Sequence, residues 1–237
     1  IVVAGDVKVD EVRALVRQYF GAIPRGPAIE RPVPAAFAVR DTAVTLEDRV
    51  QLPRVYLNWH TVKSTDADTP ALQVAAYVLA GARTSRLTQA LVYGGEIATT
   101  VQAYDDAKRL DGDFSIVATA RPGKALDTLQ TVIDQQLQRL GADGPTAREL
   151  DQARNAIEAS FLRGVQTVSG KADQLNEYYY QTGNPDGFQH ELDQLRAVTA
   201  ADIQRVVRKY LQAPRVMISV VPQGKPELAA TRKKVTQ

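Results

Sequence analysis

The sequence has no cysteine, two histidines and one tryptophan in 237 residues. Without cysteine there are no disulfides, no thiolate nucleophile and no cysteine-ligated zinc. Zinc otherwise needs three or four His, Asp or Glu ligands. The two histidines, His60 and His190, stand 130 positions apart, and neither belongs to an HxxEH, an HExxH or a close His pair. No apolar run approaches the ~20 residues that a membrane-spanning helix requires. Charge of one sign is also lacking: 29 Lys and Arg face 27 Asp and Glu, for a formal net charge of +2. That balance offers no basic stripe for counter-ion release, which sets nucleic acid aside as a partner. What is present is an ordinary globular composition, 44% hydrophobic and 24% charged, long enough for one large domain or two small ones.

The chain opens on Ile1-Val2-Val3-Ala4-Gly5-Asp6, a β-branched run ending in Gly-Asp that predicts a buried strand entering a turn. A start inside a strand, with no initiator methionine and no signal-like segment, leads us to expect a fragment or processed product. Val12, Leu15, Val16 and Tyr19 share one face and predict a helix over 10–20, closed by Gly21. Pro24, Gly26, Pro27, Pro32 and Pro34 then predict a stiff, extended connector, since each proline fixes φ and removes an amide donor. This connector is the expected domain boundary.

Beyond it, strands are predicted near 39–46, 54–61, 97–104 and 113–120, with helices over 69–79 and 85–91. In 54–61, Val55, Leu57 and Trp59 alternate with Tyr56, Asn58 and His60, the pattern of a half-buried strand with His60 facing solvent or a groove. In the strand after it, Phe114, Ile116, Ala118 and Ala120 oppose Ser115, Val117 and Thr119. The charged stretch 105–112 ends in Asp-Gly and predicts a hairpin turn. Asp105, Asp106, Asp111 and Asp113 are accordingly assigned to turn chemistry, as no loop has EF-hand form.

The second half is helical. Leu126, Leu129, Ile133, Leu137 and Leu140 form one apolar stripe. Thr146-x-x-Glu149 and Thr199-x-x-Asp202 have the form of capping boxes. Further helices are expected over 171–181, 186–196, with a solvated His190, and 200–211. Ser169-Gly170-Lys171 lacks phosphate-loop spacing and predicts a turn before a helix. Tyr178, Tyr179 and Tyr180 point three ways, with at least one toward the core. A returning strand over 216–221 and a basic tail over 223–237 end the chain. Strands, then a block of helices, then one strand is the order of an α+β domain with a mostly antiparallel sheet and helices on one face.

Several strings together resemble the pitrilysin or insulinase family of inverted-motif zinc metallopeptidases. Val2-Val3-Ala4-Gly5-Asp6-Val7, with the helix ending Tyr19-Phe20-Gly21-Ala22-Ile23-Pro24, is similar to the close of a family half. Ser85-Arg86-Leu87-Thr88-Gln89-Ala90-Leu91-Val92-Tyr93, followed by Ile97-Ala98-Thr99-Thr100-Val101, resembles the family's helix-to-strand passage. Gly144-Pro145-Thr146 with Glu149-Leu150, Lys171-Ala172-Asp173-Gln174-Leu175, and Val198-Thr199-Ala200-Ala201-Asp202-Ile203 through Tyr210-Leu211 also match, so the likeness covers nearly the whole chain.

The resemblance implies tandem α+β halves of processing-peptidase-like architecture that clasp a chamber. It also implies hydrolysis of extended peptides, and zinc held by HxxEH in one half only. On this basis 1–35 is the closing strand and helix of a preceding half plus the connector, and 36–222 is a non-catalytic domain. Zinc is expected only in a homologous partner half, in the same longer chain or in a separate subunit. An arginine and a tyrosine seven residues later, which assist catalysis in many non-catalytic halves, correspond by position to Val92 and Thr99, and neither side chain can do that work. No catalytic or metal residue is therefore assigned. Tyr56, Asn58, His60, Thr99 and Ser115 are the candidates for a groove-facing, substrate-binding surface, in place of a plain solvent face. The alternatives are a scaffold that keeps the fold for assembly alone, and an unrelated α+β binding domain. The resemblance and the absence of cysteine are both compatible with a bacterial periplasm.

Overall fold

A computed structural model describes residues 1–28 and 38–231. Its contacts divide the chain into two compact units, Ile1–Ala36 with Ala159–Gln189, and Phe37–Glu158 with His190–Gln237. In the first unit, α1 (Val9–Phe20) forms where the apolar spacing predicts it. α5 (Val168–Thr182) is capped by Thr167, whose hydroxyl accepts from the Gly170 amide, and ends at Gly183, whose φ of 81° is open to glycine. Ser169-Gly170-Lys171 thus lies in the first turn of α5, not in a turn before it. Of the three tyrosines, Tyr178 is buried while Tyr179 and Tyr180 are exposed. Phe161 stacks on Phe188, with ring centroids 4.7 Å apart. The expected strand at Ile1–Val3 does not form: the segment is irregular and exposed. Among the described residues nothing pairs with it, and β-propensity without a ladder partner leaves the backbone amides to water. The connector's Pro32 and Pro34 lie outside the described residues.

The second unit holds a five-stranded sheet in the order β1-β5-β2-β4-β3. The strands are β1 (Thr42–Asp48), β2 (Arg54–Thr61), β3 (Ala98–Ala107), β4 (Gly112–Ala120) and β5 (Val216–Pro222). Only β1 and β5 run parallel. The fold is α+β, with α2 (Thr69–Ala80), α3 (Leu126–Asp143), α4 (Ala147–Gly164), α6 (Phe188–Ala197) and α7 (Ala200–Val206), and π-helical turns at Thr88–Tyr93 and Val207–Leu211. One sheet face carries Val55, Leu57, Trp59, Phe114, Ile116 and Val221, all fully buried. They share a core with helical residues such as Leu72, Leu129, Ile133, Ile203 and Val206. Trp59 meets Phe114 edge to face at 6.3 Å.

Two polar clamps tie the helices together. Glu149 completes the capping box with Thr146 and accepts both arms of Arg86 at 2.7 and 2.8 Å. Arg86 also donates to the carbonyl of Gly144, whose φ of 75° closes α3. The hydrogen bonds from Arg86, with that from the Thr146 amide, hold the Glu149 carboxyl down at about 2 against the opposing effect of burial. At the start of α2, Asp68 gathers Arg205, Lys209 and Tyr210. The second capping box, Thr199 with Asp202, forms as expected.

Candidate functional site

Strand pairing decides what shares the face opposite the core. In one row across the sheet, Val44, Ile218, Tyr56, Val117 and Gln102 are neighbours; in the next, Thr42, Val216, Asn58, Ser115 and Tyr104. Leu46, Val220, Arg54, Thr119 and Thr100 form a third row, and His60, Asp113 and Asp106 close the far end. Val44, Leu46 and Tyr104 are exposed there. Among the described residues this face is open at the outer strands β1 and β3 and closed over Ser115 and Thr119 on β4, which are buried; it is half apolar and half hydrogen-bonding, with its polar groups ordered along β2 and β4.

Asn58 Nδ2 donates to Asp113 Oδ2 at 2.7 Å and to Ser115 Oγ at 2.9 Å. Ser115 Oγ also donates to Asp113 Oδ2 at 3.3 Å, so the three side chains form one fixed group. His60 Nε2 stands 2.5 Å from Asp111 Oδ2. Tyr56 takes a hydrogen bond from Arg54 Nη1 at 3.4 Å, and Arg54 Nε donates to Thr119 Oγ1 at 2.9 Å. The structure thus places Tyr56, Asn58, His60 and Ser115 on one face and bonds Asn58 to Ser115 directly. Thr99 is separate: it is the extra residue of a bulge between Ala98 and Thr100, and its hydroxyl donates to the Thr119 carbonyl at 3.2 Å. Val92, in the π-helical turn, is half-buried and packs against the core.

Two residues with chemistry on this face escaped the sequence reading. Arg54 continues the outward alternation of Tyr56, Asn58 and His60 by two positions, a signal that was there to use. Composition assigns Asp113 to the hairpin turn with Asp105, Asp106 and Asp111; in the structure β3 runs on to Ala107 and β4 begins at Gly112, so Asp105, Asp106 and Asp113 lie in strands and, of the four, only Asp111 is in the turn. The ladder extends because each added residue pair satisfies further backbone groups. Asp105 faces the core side, where its Oδ2 is buried without a partner. Burial pushes its pKa up to about 7, with the Asp113 and Asp106 charges adding to the rise and the Thr61 hydroxyl opposing it.

No bond-breaking constellation emerges from these groups. Among the described residues no three His, Asp or Glu side chains are arranged to hold a metal ion, so the donor set does not fit a zinc centre. Among the same residues no helix is long and apolar enough to cross a membrane.

Comparisons with known proteins bear on the same question. Residues 1–157 match the family model described as the peptidase M16 inactive domain. The chain is 28% identical over 214 residues to an uncharacterized zinc protease of Mycobacterium leprae, covering 89% of this chain and 48% of that protein. The chain spans about half the length of the curated relatives it matches. A peptidase M16 inactive domain from Pseudomonas fluorescens superposes with a TM-score of 0.79 at 21% identity, over 97% of this chain and 54% of that one. A protease from Helicobacter pylori superposes with the same TM-score and identity, over 92% and 54%. At that identity the two structures speak for the fold.

Proposed function

The chain belongs to the peptidase M16 inactive-domain family, and from that premise we propose that it is the zinc-free half of a metallopeptidase. In this role it completes a chamber with a zinc-bearing homologous half and helps to hold extended peptides there. Neither a nucleophile nor a metal-activated water is assigned to its own residues.

The open sheet face is the observation that carries this reading. A sheet covered by helices on both sides would have no surface left for a peptide. Here Tyr56, Val117, Ile218 and Val44 offer apolar contact beside the fixed Asn58–Asp113–Ser115 group, a mixture that suits a main chain with alternating side chains. Along the edge, all seven residues of β1 are exposed, which favours main-chain pairing with an added strand. Such pairing is tolerant of sequence, as a chamber for varied peptides requires.

The test combines metal analysis with reconstitution. The isolated chain, dialysed against micromolar zinc, should retain essentially none. Mixed with a homologous chain that carries HxxEH, it should support peptide cleavage that a chelator abolishes. Stoichiometric zinc in the isolated chain would overturn the division of labour. A zinc-loaded pair that cleaves no peptide would favour a scaffold used for assembly alone.

A further inference from the structure

The charges of the open face point to the kind of peptide it takes. Arg54 opens β2 and His60 is its penultimate residue, Arg54 in register with Thr119 and His60 with Asp113. The Arg54 guanidinium donates to two neutral hydroxyls, those of Thr119 and Tyr56. The Asp113 carboxylate accepts from two neutral groups, the Asn58 amide and the Ser115 hydroxyl. Among the described residues neither forms an ion pair. Near Asp113, Asp106 pairs with Lys108 at 2.8 Å, whose charge Asp113 also feels, and Asp111 Oδ2 stands 2.5 Å from His60 Nε2. One cation and one anion are thus held by neutral hydrogen-bond partners on the same face, and neither is engaged in an ion pair among the described residues. Six strand positions separate them, about 20 Å at ~3.3 Å per residue, and Tyr56, Val117, Val216, Ile218 and Val220 lie between them or alongside.

We propose that the open face accepts an extended peptide of about seven residues with a basic side chain at the Asp113 end, an acidic one at the Arg54 end and apolar residues between. The proposal rests on the peptide-holding role above and specifies its substrate class. An extended chain of about seven residues covers the distance between the two charges. Both charged groups are already oriented by neighbours in the sheet, so a bound counter-charge costs little reorganisation. Bonds between ionised partners are stronger than the neutral bonds that now hold each group.

The test is fluorescence anisotropy of labelled seven-residue peptides with the full chain. The peptides share a Val/Tyr/Ser centre and carry Glu and Arg, Arg and Arg, Glu and Glu, or Gln and Gln at their ends. The Glu/Arg peptide should bind tightest, by about five-fold per charge over the Gln/Gln peptide. Asp113→Asn should remove the gain from Arg alone, Arg54→Gln the gain from Glu alone, and Asp113→Lys should make the Glu/Glu peptide the tightest. Unchanged circular dichroism and melting would establish that the variants fold. Equal binding of all four peptides by the wild-type chain would overturn the charge assignment and leave the peptide-holding reading standing. No binding of any peptide, by the chain alone or with an HxxEH-bearing half, would overturn both.

Discussion

Asp68 is the group whose removal the structure makes most informative. It is only 6% exposed, yet it accepts from Arg205 Nη1 at 2.5 Å, Lys209 Nζ at 3.0 Å and Tyr210 Oη at 2.7 Å. Burial by itself would raise its pKa; the three donors outweigh burial and bring it from 3.8 to about 2. A lowering of that size corresponds to about 2.5 kcal/mol of folding stability while the group is ionised in both states. Arg205 and Lys209 are half exposed, and solvent screening trims the figure toward about 2 kcal/mol. Because the folded pKa lies below the unfolded one, this stabilisation is fully present above about pH 4 and disappears as pH falls toward 2. Asp68→Asn keeps the shape and removes the charge. Urea unfolding followed by the fluorescence of Trp59, the single tryptophan and a core residue, should show a loss of about 2 kcal/mol at pH 7 and almost none at pH 2. A loss of the same size at both pH values would refute the reasoning, since it would come from shape or packing and not from the carboxylate charge.

Three further outcomes follow from the same structure. Asp105 has the opposite linkage: its folded pKa, near 7, is above the unfolded 3.8, so its contribution is whole below about pH 4 and is lost as pH rises through 7. Asp105→Asn should flatten that decline and leave the variant more stable than wild type at pH 8 by roughly 2–4 kcal/mol; identical pH slopes in urea titrations would contradict the assignment. Arg86→Ala should cost about 2 kcal/mol, because it strips a two-pronged partner from Glu149 and a donor from the Gly144 carbonyl. Thr146→Ala should cost about 1 kcal/mol, and the double variant less than the two together, since both act through Glu149; strict additivity in the double-mutant cycle would sink that coupling.

Elements with strong internal periodicity were legible in the sequence. The stripe from Leu126 to Leu140 became α3, both capping boxes formed at Thr146 and Thr199, and the alternation over Val55–Trp59 put those side chains in the core. Readings that depended on a partner strand were weaker. Ile1–Val3 has the composition of a strand but no ladder among the described residues, whereas Asp105, Asp106 and Asp113 have the composition of a turn but were drawn into a long hairpin by pairing. The bulge at Thr99 depends on register alone, which no single strand encodes. For the site, alternation placed Tyr56, Asn58 and His60 on one face. It could not show that Asn58 bonds both Asp113 and Ser115, or that Arg54 donates to the Thr119 hydroxyl, because those facts belong to the sheet and not to any one segment.

The division of labour between halves is tested most directly by titrating a fixed amount of a zinc-loaded, HxxEH-bearing homologous half with this chain and recording the rate of cleavage of an extended peptide. The division of labour predicts no cleavage by this chain alone and a rate that rises with added chain, saturates at one chain per zinc-bearing half and falls to zero with chelator. A rate that stays unchanged at every ratio would contradict it.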